Sequence, residues 1–257
     1  MAGSTGAAAA TAPSARFVLV HGLYTSRTMW RPQAAALRDA GHEVRTPDLP
    51  GHGRRRDEAF RLEAAMATID EAVADAARST HAPPGPVILV GLSLGGYLSM
   101  EYAGRHPERI DGLIPMACSA RPSAFGVGVY RGITRTLRRM PDQGLAVDVA
   151  MQRLVGGKSA ALAFLAGGYS IAAALDAVAA VATLDPIASL RRVAEAGLPT
   201  WFVNGELDQM RIEQRRFAAA AGSAWRTLVP GASHLVNLAA PRTVSHLLLM
   251  AGAAASW

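Results

Sequence analysis

Short runs of apolar residues alternate along the chain with longer segments in which apolar positions recur at helical spacing. The clearest pair begins at residues 86–90, which are apolar throughout and precede a segment carrying Leu94, Tyr97, Leu98 and Tyr102. A continuous apolar run predicts a strand that is buried on both faces of a sheet. The spacing of the second segment predicts a helix that follows this strand directly.

Five more strands and four more helices follow the same alternating pattern. Strands are predicted at residues 16–21, 43–46, 110–117, 198–204 and 224–229, and helices at residues 28–40, 61–78, 209–221 and 241–255. Strands that alternate with helices form parallel sheets, because each helix crosses over the sheet to the next strand. The pattern therefore predicts an α/β fold, a doubly wound and mostly parallel sheet flanked by helices.

The alternation stops between residues 120 and 185. This part of the chain is rich in Gly and Ala, contains dispersed aromatic residues and shows no clear strand. We predict that residues 120–185, called the cap segment below, form three or four short helices beside a core of residues 16–119 and 186–257. Glycine pairs at 156–157 and 167–168 offer hinges within the cap segment.

Composition and charge narrow the class of protein. Half of the residues are hydrophobic, which excludes a disordered chain. The net charge of +6 comes almost entirely from arginine, because Lys158 is the only lysine. The arginine groups are short and scattered, without the interleaved aromatic residues that binders of single-stranded nucleic acid use. We therefore predict solvated basic faces and no nucleic-acid partner.

The termini and the single cysteine bear on location. Residues 1–15 are rich in Ala, Ser, Thr and Gly and are predicted to be a flexible tail. The tail lacks the basic and apolar regions of a secretory signal. No apolar run reaches the roughly 18 residues that a membrane span needs. Cys118 is alone, so an internal disulfide is impossible, and a cytoplasmic location is the prediction.

The candidate chemistry lies at the junction of the first strand and helix described above. Residues 91–95 read Gly-Leu-Ser-Leu-Gly, the G-x-S-x-G pattern of a nucleophile elbow. Gly91 and Gly95 lack a Cβ, which lets strand and helix approach closely around Ser93. The Ser93 hydroxyl then lies at a helix N-terminus, where developing negative charge is favoured. The alternative interpretation is a glycine-rich turn that contains a serine.

A serine hydroxyl becomes a good nucleophile only when a base takes its proton and a third group orients that base. His234 follows the last predicted strand, and Asp208 follows the strand before it. Open parallel sheets gather their sites at the carboxyl ends of strands, so Ser93, Asp208 and His234 can converge. Glu206 is the competing candidate for the acid.

These motifs resemble those of the α/β-hydrolase superfamily over residues 16–119 and 198–255. The matching motifs are His-Gly at 21–22, Asp-Leu-Pro-Gly-His-Gly at 48–53, Gly-Leu-Ser-Leu-Gly-Gly at 91–96, His-Pro-Glu-Arg-Ile at 106–110, Gly-Glu-Leu-Asp at 205–208 and Gly-Ala-Ser-His at 231–234. The resemblance is to bacterial serine esterases, enol-lactonases and cofactor-free haloperoxidases. It implies the α/β-hydrolase fold. Residues 1–15 have no room for the hairpin that usually starts the sheet, so about six strands are expected.

The resemblance also implies roles for individual residues. Ser93, Asp208 and His234 follow the family's chain order of nucleophile, acid and base, and the Gly-x-x-Asp spacing selects Asp208 over Glu206. The backbone N–H groups of Leu23 and Leu94 correspond to the oxyanion hole.

Four polar residues near these motifs are predicted to have structural roles. His21 and His52 are expected to shape loops, Asp48 to accept hydrogen bonds from its own loop, and Asp185 to cap a helix.

The implied activity is that of a cofactor-free, metal-free serine hydrolase with a small-molecule ester substrate. The expected substrate is a small to medium apolar ester, thioester or lactone, cleaved through an acyl-enzyme. The same triad would also serve a C–C hydrolase, a perhydrolase or haloperoxidase, a lyase or a ligand-binding receptor, and the sequence leaves these open. It also leaves the oligomeric state open. Candidate pocket residues are Tyr24, Ser119, Phe125, Tyr130 and Phe164, and the three aromatic residues of the cap segment among them could equally belong to the core.

Overall fold

The computed structural model describes residues 14–80, 84–222 and 224–254. Within these residues six parallel strands form one sheet: β1 (Arg16–Val20), β2 (Glu43–Arg45), β3 (Val87–Leu92), β4 (Gly112–Met116), β5 (Trp201–Gly205) and β6 (Trp225–Val229). Their order across the sheet is β2-β1-β3-β4-β5-β6. The predicted parallel sheet of about six strands flanked by helices is confirmed.

The centre of the sheet is its most apolar part. Leu89 of β3 pairs with Val18 of β1 on one side and with Leu113 of β4 on the other. All three side chains are completely buried. Burial on both faces explains why these strands appear in the sequence as continuous apolar runs.

Helices cover both faces of the sheet. Their bounds in chain order are α1 (Arg31–Asp39), α2 (Leu62–Arg78), α3 (Leu94–Arg105), α4 (Ala124–Arg138), α5 (Leu145–Leu165), α6 (Ala174–Val181), α7 (Pro186–Glu195), α8 (Gln214–Ala220), α9 (Val236–Ala239) and α10 (Pro241–Ala253). Side chains of α2, α3, α7 and α8 form one hydrophobic cluster. Side chains of α1, α9, α10 and the end of α5 form the other.

Two predicted helices are shorter than the sequence suggested. The helix predicted at 28–40 begins with a 3₁₀ turn, and α1 starts only at Arg31, with Pro32 in its first turn. The helix predicted at 209–221 is divided, because the Asp208 side chain caps a separate 3₁₀ turn at Gln209–Arg211. The predicted cap of α7 is confirmed: Asp185 accepts from the amides of Ile187 and Ala188.

The cap segment contains α4, α5 and α6. The helix α5 has 21 residues, so it is longer than the short helices that were predicted. Its helical geometry is interrupted at Gly157, whose φ is 72° and ψ −168°. The helix packs against the 3₁₀ turn at Arg27–Trp30 and against α9, and α4 packs against α6. The cap segment therefore contacts the loop that follows β1.

Two statements about the ends of the chain follow from the described residues. Most of the predicted tail, residues 1–13, lies outside them, whereas Ser14 and Ala15 are buried next to His42. None of the helices that the structure describes is long and apolar enough to cross a membrane.

Candidate active site

Ser93 sits in a strained turn between β3 and α3. Its backbone has φ 54° and ψ −114°, a left-handed conformation that non-glycine residues rarely adopt. A Cβ on Gly95 would collide with the backbone carbonyls of Val20 and His21, and a Cβ on Gly91 would collide with the Gly95 carbonyl. The two glycines are therefore required by close approach of the backbone, and strain of this kind is typical of functional sites.

The loops after β5 and β6 bring two side chains to Ser93. His234 Nε2 lies 2.9 Å from Ser93 Oγ, and His234 Nδ1 lies 2.9 Å from Asp208 Oδ1. The carboxylate can only accept, so Nδ1 carries the proton and Nε2 is left free to accept from the Ser93 hydroxyl. The imidazole is thereby oriented as a base.

Asp208 is held in place by its surroundings. Its side chain is buried, and Oδ1 also accepts a 2.8 Å hydrogen bond from the Met210 amide. Glu206, the competing candidate from the sequence, instead accepts from the amide of Gly231 at 2.9 Å. The structure therefore brings Asp208 and not Glu206 to His234.

The amides of Leu23 and Leu94 are the donors expected for the oxyanion hole. Both residues line the cavity that contains Ser93, and Leu94 is the first residue of α3. Across residues 14–80, 84–222 and 224–254, neither N–H has a hydrogen-bond acceptor. Tyr24, next to Leu23, has a φ of 65°, a strained conformation that fixes the direction of this loop. Two free donors at this position can stabilise an oxyanion.

His21 supports the loop that carries Leu23. Its Nε2 accepts a 3.0 Å hydrogen bond from the Leu49 amide, which leaves Nδ1 to donate to the Gly22 carbonyl at 2.8 Å. Complete burial, together with nearby His52, lowers the pKa of His21 to about 3. Burial also lowers the pKa of His52. Both rings are therefore neutral loop histidines at physiological pH, which agrees with the structural roles predicted for them.

Asp48 joins two loops beneath this site. It accepts from the Arg27 amide at 2.8 Å and from the Arg54 amide at 3.1 Å. Gly53, at φ +55°, leaves room for the carboxylate, because a Cβ at that position would overlap it. The predicted hydrogen bonding of Asp48 within its own loop is confirmed.

A cavity of about 670 Å³ opens above Ser93. Its lining is mostly apolar and combines the loops after β1, β4, β5 and β6 with residues of α4, α5 and α6. Of the pocket residues expected from the sequence, the structure places Tyr24, Tyr130 and Phe164 in this lining.

Of the other two expected pocket residues, Ser119 does not join the described lining. Ser119 is completely buried, its Oγ lies 3.5 Å from Asn204 Nδ2, and its carbonyl accepts from the Glu213 amide. These contacts turn Ser119 into the interior, so its assignment to the pocket is corrected. The backbone of Phe125 belongs to α4, but its side chain lies outside the described part of the structure.

The cavity also contains residues that sequence reasoning missed. Met210 and Ile212 come shortly after Asp208 in the sequence, and this proximity to the candidate acid could have predicted that they line the cavity. Asp148 lies in α5, and no local pattern in the sequence connects it to Ser93. Within the described ranges, no group of three or more His, Cys, Asp or Glu side chains is placed to hold a metal ion.

Comparison with known proteins agrees with this geometry. The alpha/beta hydrolase family matches residues 17–247, which is most of the chain. The chain belongs to the alpha/beta hydrolase family.

Two curated members of the alpha/beta hydrolase family illustrate the sequence similarity. Esterase PIR7B of Oryza sativa subsp. japonica is 31% identical over 156 residues, which is 59% of this chain and 55% of that protein. The carbendazim hydrolyzing esterase of Nocardioides sp. is 38% identical over 101 residues, 39% of this chain and 40% of that protein. The match thus spans about half or less of the length of these relatives.

Solved alpha/beta hydrolase structures match almost the whole chain. A carboxylesterase of Nitrososphaera gargenis has a TM-score of 0.75 at 16% identity and covers 94% of this chain and 90% of its own. A bromoperoxidase of Bacillus anthracis has a TM-score of 0.71 at 20% identity and covers 93% and 91%. At such identities the similarity shows the fold alone.

Proposed function

We propose that the protein is a serine esterase that cleaves carboxylic esters of small to medium apolar substrates through an acyl-enzyme. The observation that carries the proposal is the chain of 2.9 Å hydrogen bonds from Ser93 through His234 to Asp208 at the floor of an apolar cavity. The esterases among the sequence relatives support the same reaction class.

In the proposed mechanism, Ser93 Oγ attacks the ester carbonyl carbon while its proton passes to His234 Nε2. The carbonyl oxygen becomes an oxyanion that the Leu23 and Leu94 amides stabilise. The C–O bond to the alcohol then breaks, and His234 returns the proton to the leaving oxygen. A water molecule attacks the acyl group with His234 again as base, which releases the acid and restores Ser93. Asp208 stabilises the imidazolium in both steps.

Ester hydrolysis is preferred over the other reactions that the same triad supports. A thioester or lactone would pass through the same oxyanion, and a perhydrolase would need only hydrogen peroxide in place of water. The bromoperoxidase of similar structure is only 20% identical to this chain, so the similarity supports a shared fold and gives no support for a shared activity. By contrast, the relatives at 31% and 38% identity are esterases.

We further propose that the cap segment selects the substrate. Tyr130 of α4, Phe164 of α5 and Val178 of α6 line the same cavity as Ser93. Apolar side chains above the nucleophile exclude water and accept an apolar group. The absence of a nucleic-acid partner stays a prediction, and so does the cytoplasmic location, which rests on buried Cys118 as the single cysteine.

Labelling with a fluorophosphonate tests the nucleophile directly. Ser93 Oγ should attack phosphorus and displace fluoride, which leaves a stable adduct that peptide mapping locates. Ser93→Ala should abolish labelling and lower kcat by several orders of magnitude without unfolding the protein. Ser123→Ala is the matched control, because Ser123 lines the same cavity but caps α4. An adduct on Ser123, or full labelling of Ser93→Ala, would contradict the proposal.

A further inference from the structure

Asp148 is a carboxylate in the lining of an otherwise mostly apolar cavity. It lies in the first turn of α5, after the N-cap residue Gly144. Among the residues that the structure describes, no Arg, Lys or His forms an ion pair with it. Asp148 is partly buried, and a carboxylate removed from water without a counter-ion is costly, so its presence in a ligand cavity needs an explanation.

The protein satisfies this carboxylate incompletely. Asp148 Oδ2 and the Tyr169 hydroxyl are both buried, and neither has a hydrogen-bond partner of normal geometry within the described residues. Burial raises the pKa of the Asp148 carboxyl, and the nearby Tyr169 hydroxyl offsets that effect only in part. The positive end of α5 favours the ionised form at this position. Asp148 therefore offers the cavity a carboxylate for which the described residues provide no cation.

Three aromatic rings lie close to one another near this part of the cavity. The ring centroids of Tyr24 and Tyr169 are 5.9 Å apart, and those of Phe164 and Tyr169 are 6.3 Å apart. Tyr24 and Phe164 themselves line the cavity. The Asp148 charge acts on both tyrosines: after burial, it is among the causes that raise the pKa of each hydroxyl. Carboxylate and rings thus belong to one cluster.

A carboxylate beside aromatic faces is the arrangement that recognises organic cations. The carboxylate supplies the opposite charge, and the rings attract a cation through their quadrupole while they exclude water. An anionic group would meet like charge at Asp148. A purely apolar group would leave the carboxylate unpaired.

We propose that Asp148, Tyr24 and Phe164 form a subsite that binds a cationic amine group carried by the substrate. The inference rests on the proposed esterase function and deepens it: the substrate is an ester with an apolar body and one ammonium group. The ammonium lies at Asp148 while the ester carbonyl lies at Ser93.

The test compares 4-nitrophenyl esters that differ in one atom of the acyl terminus. One series ends in a trimethylammonium group and the other in a tert-butyl group of the same shape, over a range of chain lengths. In the wild type the cationic ester of best length should have a kcat/KM about tenfold or more above its neutral isostere. Asp148→Asn should remove this preference while it retains hydrolysis of the neutral ester.

A binding measurement separates the subsite from the chemistry. Calorimetric titration of Ser93→Ala with hexyltrimethylammonium should show binding that a second Asp148→Asn substitution weakens about tenfold or more. Asp176→Asn is the matched control, because Asp176 lies exposed on α6 and outside the cavity lining. It should change neither the ester preference nor the binding.

The outcomes distinguish the two proposals. Equal kcat/KM for both ester series, or a preference that survives Asp148→Asn, would overturn the subsite. Loss of the preference in Asp176→Asn as well would also overturn it, because a general field effect would then account for it. If neither ester is cleaved but the ammonium still binds through Asp148, the esterase proposal fails and the subsite stands.

Discussion

At the scale of single residues, the proposed reactivity of Ser93 depends on which ring nitrogen of His234 carries the proton. Asp208 Oδ1 accepts both from His234 Nδ1 and from the Met210 amide, so the carboxylate cannot turn away from the ring. As a result, the imidazole presents an unprotonated Nε2 to the serine. In the proposed mechanism, Asp208 sets the tautomer of His234 and does not contact the substrate.

Replacing the Asp208 carboxylate by an amide tests whether this carboxylate sets the tautomer of His234. In Asp208→Asn the side-chain NH₂ can donate to Nδ1, which favours the tautomer with the proton on Nε2. We expect kcat to fall roughly 10⁴-fold while the fold is retained. Glu206→Gln is the control, because the Glu206 carboxylate accepts from the Gly231 amide and not from His234, and it should remain active. An inactive Glu206→Gln beside an active Asp208→Asn would reverse the assignment of the acid.

A second residue-scale prediction concerns stability against pH. The pKa of His21 is about 3 in the folded protein against an ordinary 6.5. Between these values the unfolded chain binds a proton that the folded chain does not, so stability falls as pH drops through this window. This one histidine should cost about 2 kcal/mol of unfolding free energy between pH 7.5 and pH 5.

Urea unfolding of wild type and His21→Asn at both pH values measures this contribution. Asn does not titrate, so the variant should lose about 2 kcal/mol less than the wild type on going to pH 5. The comparison is made within each protein, which cancels any constant cost of the substitution. Equal pH losses in the two proteins would show that His21 does not stay neutral in the fold.

At the scale of elements, the kink in α5 is the feature that depends most on one residue. Gly157 has φ 72° and ψ −168°, a conformation that is essentially restricted to glycine. A Cβ at this position would meet nothing within 4 Å, so any cost of substitution is conformational and not steric. A substitution at Gly157 therefore tests the backbone conformation without disturbing the packing of neighbouring side chains.

A pair of glycine substitutions tests the kink. Gly157→Ala should destabilise the protein by about 1–3 kcal/mol, because alanine must either adopt a strained backbone or straighten α5. Gly128→Ala, in α4 and also without neighbours within 4 Å, should instead stabilise by about 0.5–1 kcal/mol. Thermal unfolding distinguishes the two, and a stabilising Gly157→Ala would mean that the kink is not required.

At the scale of the whole molecule, the sequence predicted what local geometry determines. The turn at Ser93 needs Gly91 and Gly95 within two residues of it, so a five-residue pattern is enough to predict it. Asp208 and His234 follow predicted strands, so the parallel topology brings them to the same edge. The division of the helix after Asp208 was missed, because the side chain that contacts His234 also caps a turn.

The cavity lining could not be predicted in the same way. Asp148 reaches the lining because α5 packs against α9 and against the 3₁₀ turn at Arg27–Trp30, contacts that are far apart in sequence. Nor does the sequence of α5 have a distinct polar face that would orient it. Ser119 shows the opposite error: it follows β4 at the right edge of the sheet, but its neighbours turn it inward. Which side chains surround a substrate is thus a property of tertiary packing.

The size of the cavity should determine which acyl chain length the protein prefers. Tyr130 lines the cavity from α4 and is only partly buried, whereas Phe164 is almost completely buried and also belongs to the core. Tyr130→Ala should therefore enlarge the cavity without the roughly 3–5 kcal/mol that removal of a core phenylalanine costs. In the wild type, each added methylene of the acyl chain should gain at most about 0.8 kcal/mol until the cavity is full.

In Tyr130→Ala we expect the optimum of kcat/KM to move to longer acyl chains, while fluorophosphonate labelling of Ser93 is retained. Arg131→Ala is the matched control, since Arg131 is the next residue on α4, is exposed and does not line the cavity. Its chain-length profile should equal that of the wild type. If Tyr130→Ala leaves the profile unchanged and only lowers thermal stability, Tyr130 is a packing residue, and the acyl chain must occupy another part of the cavity.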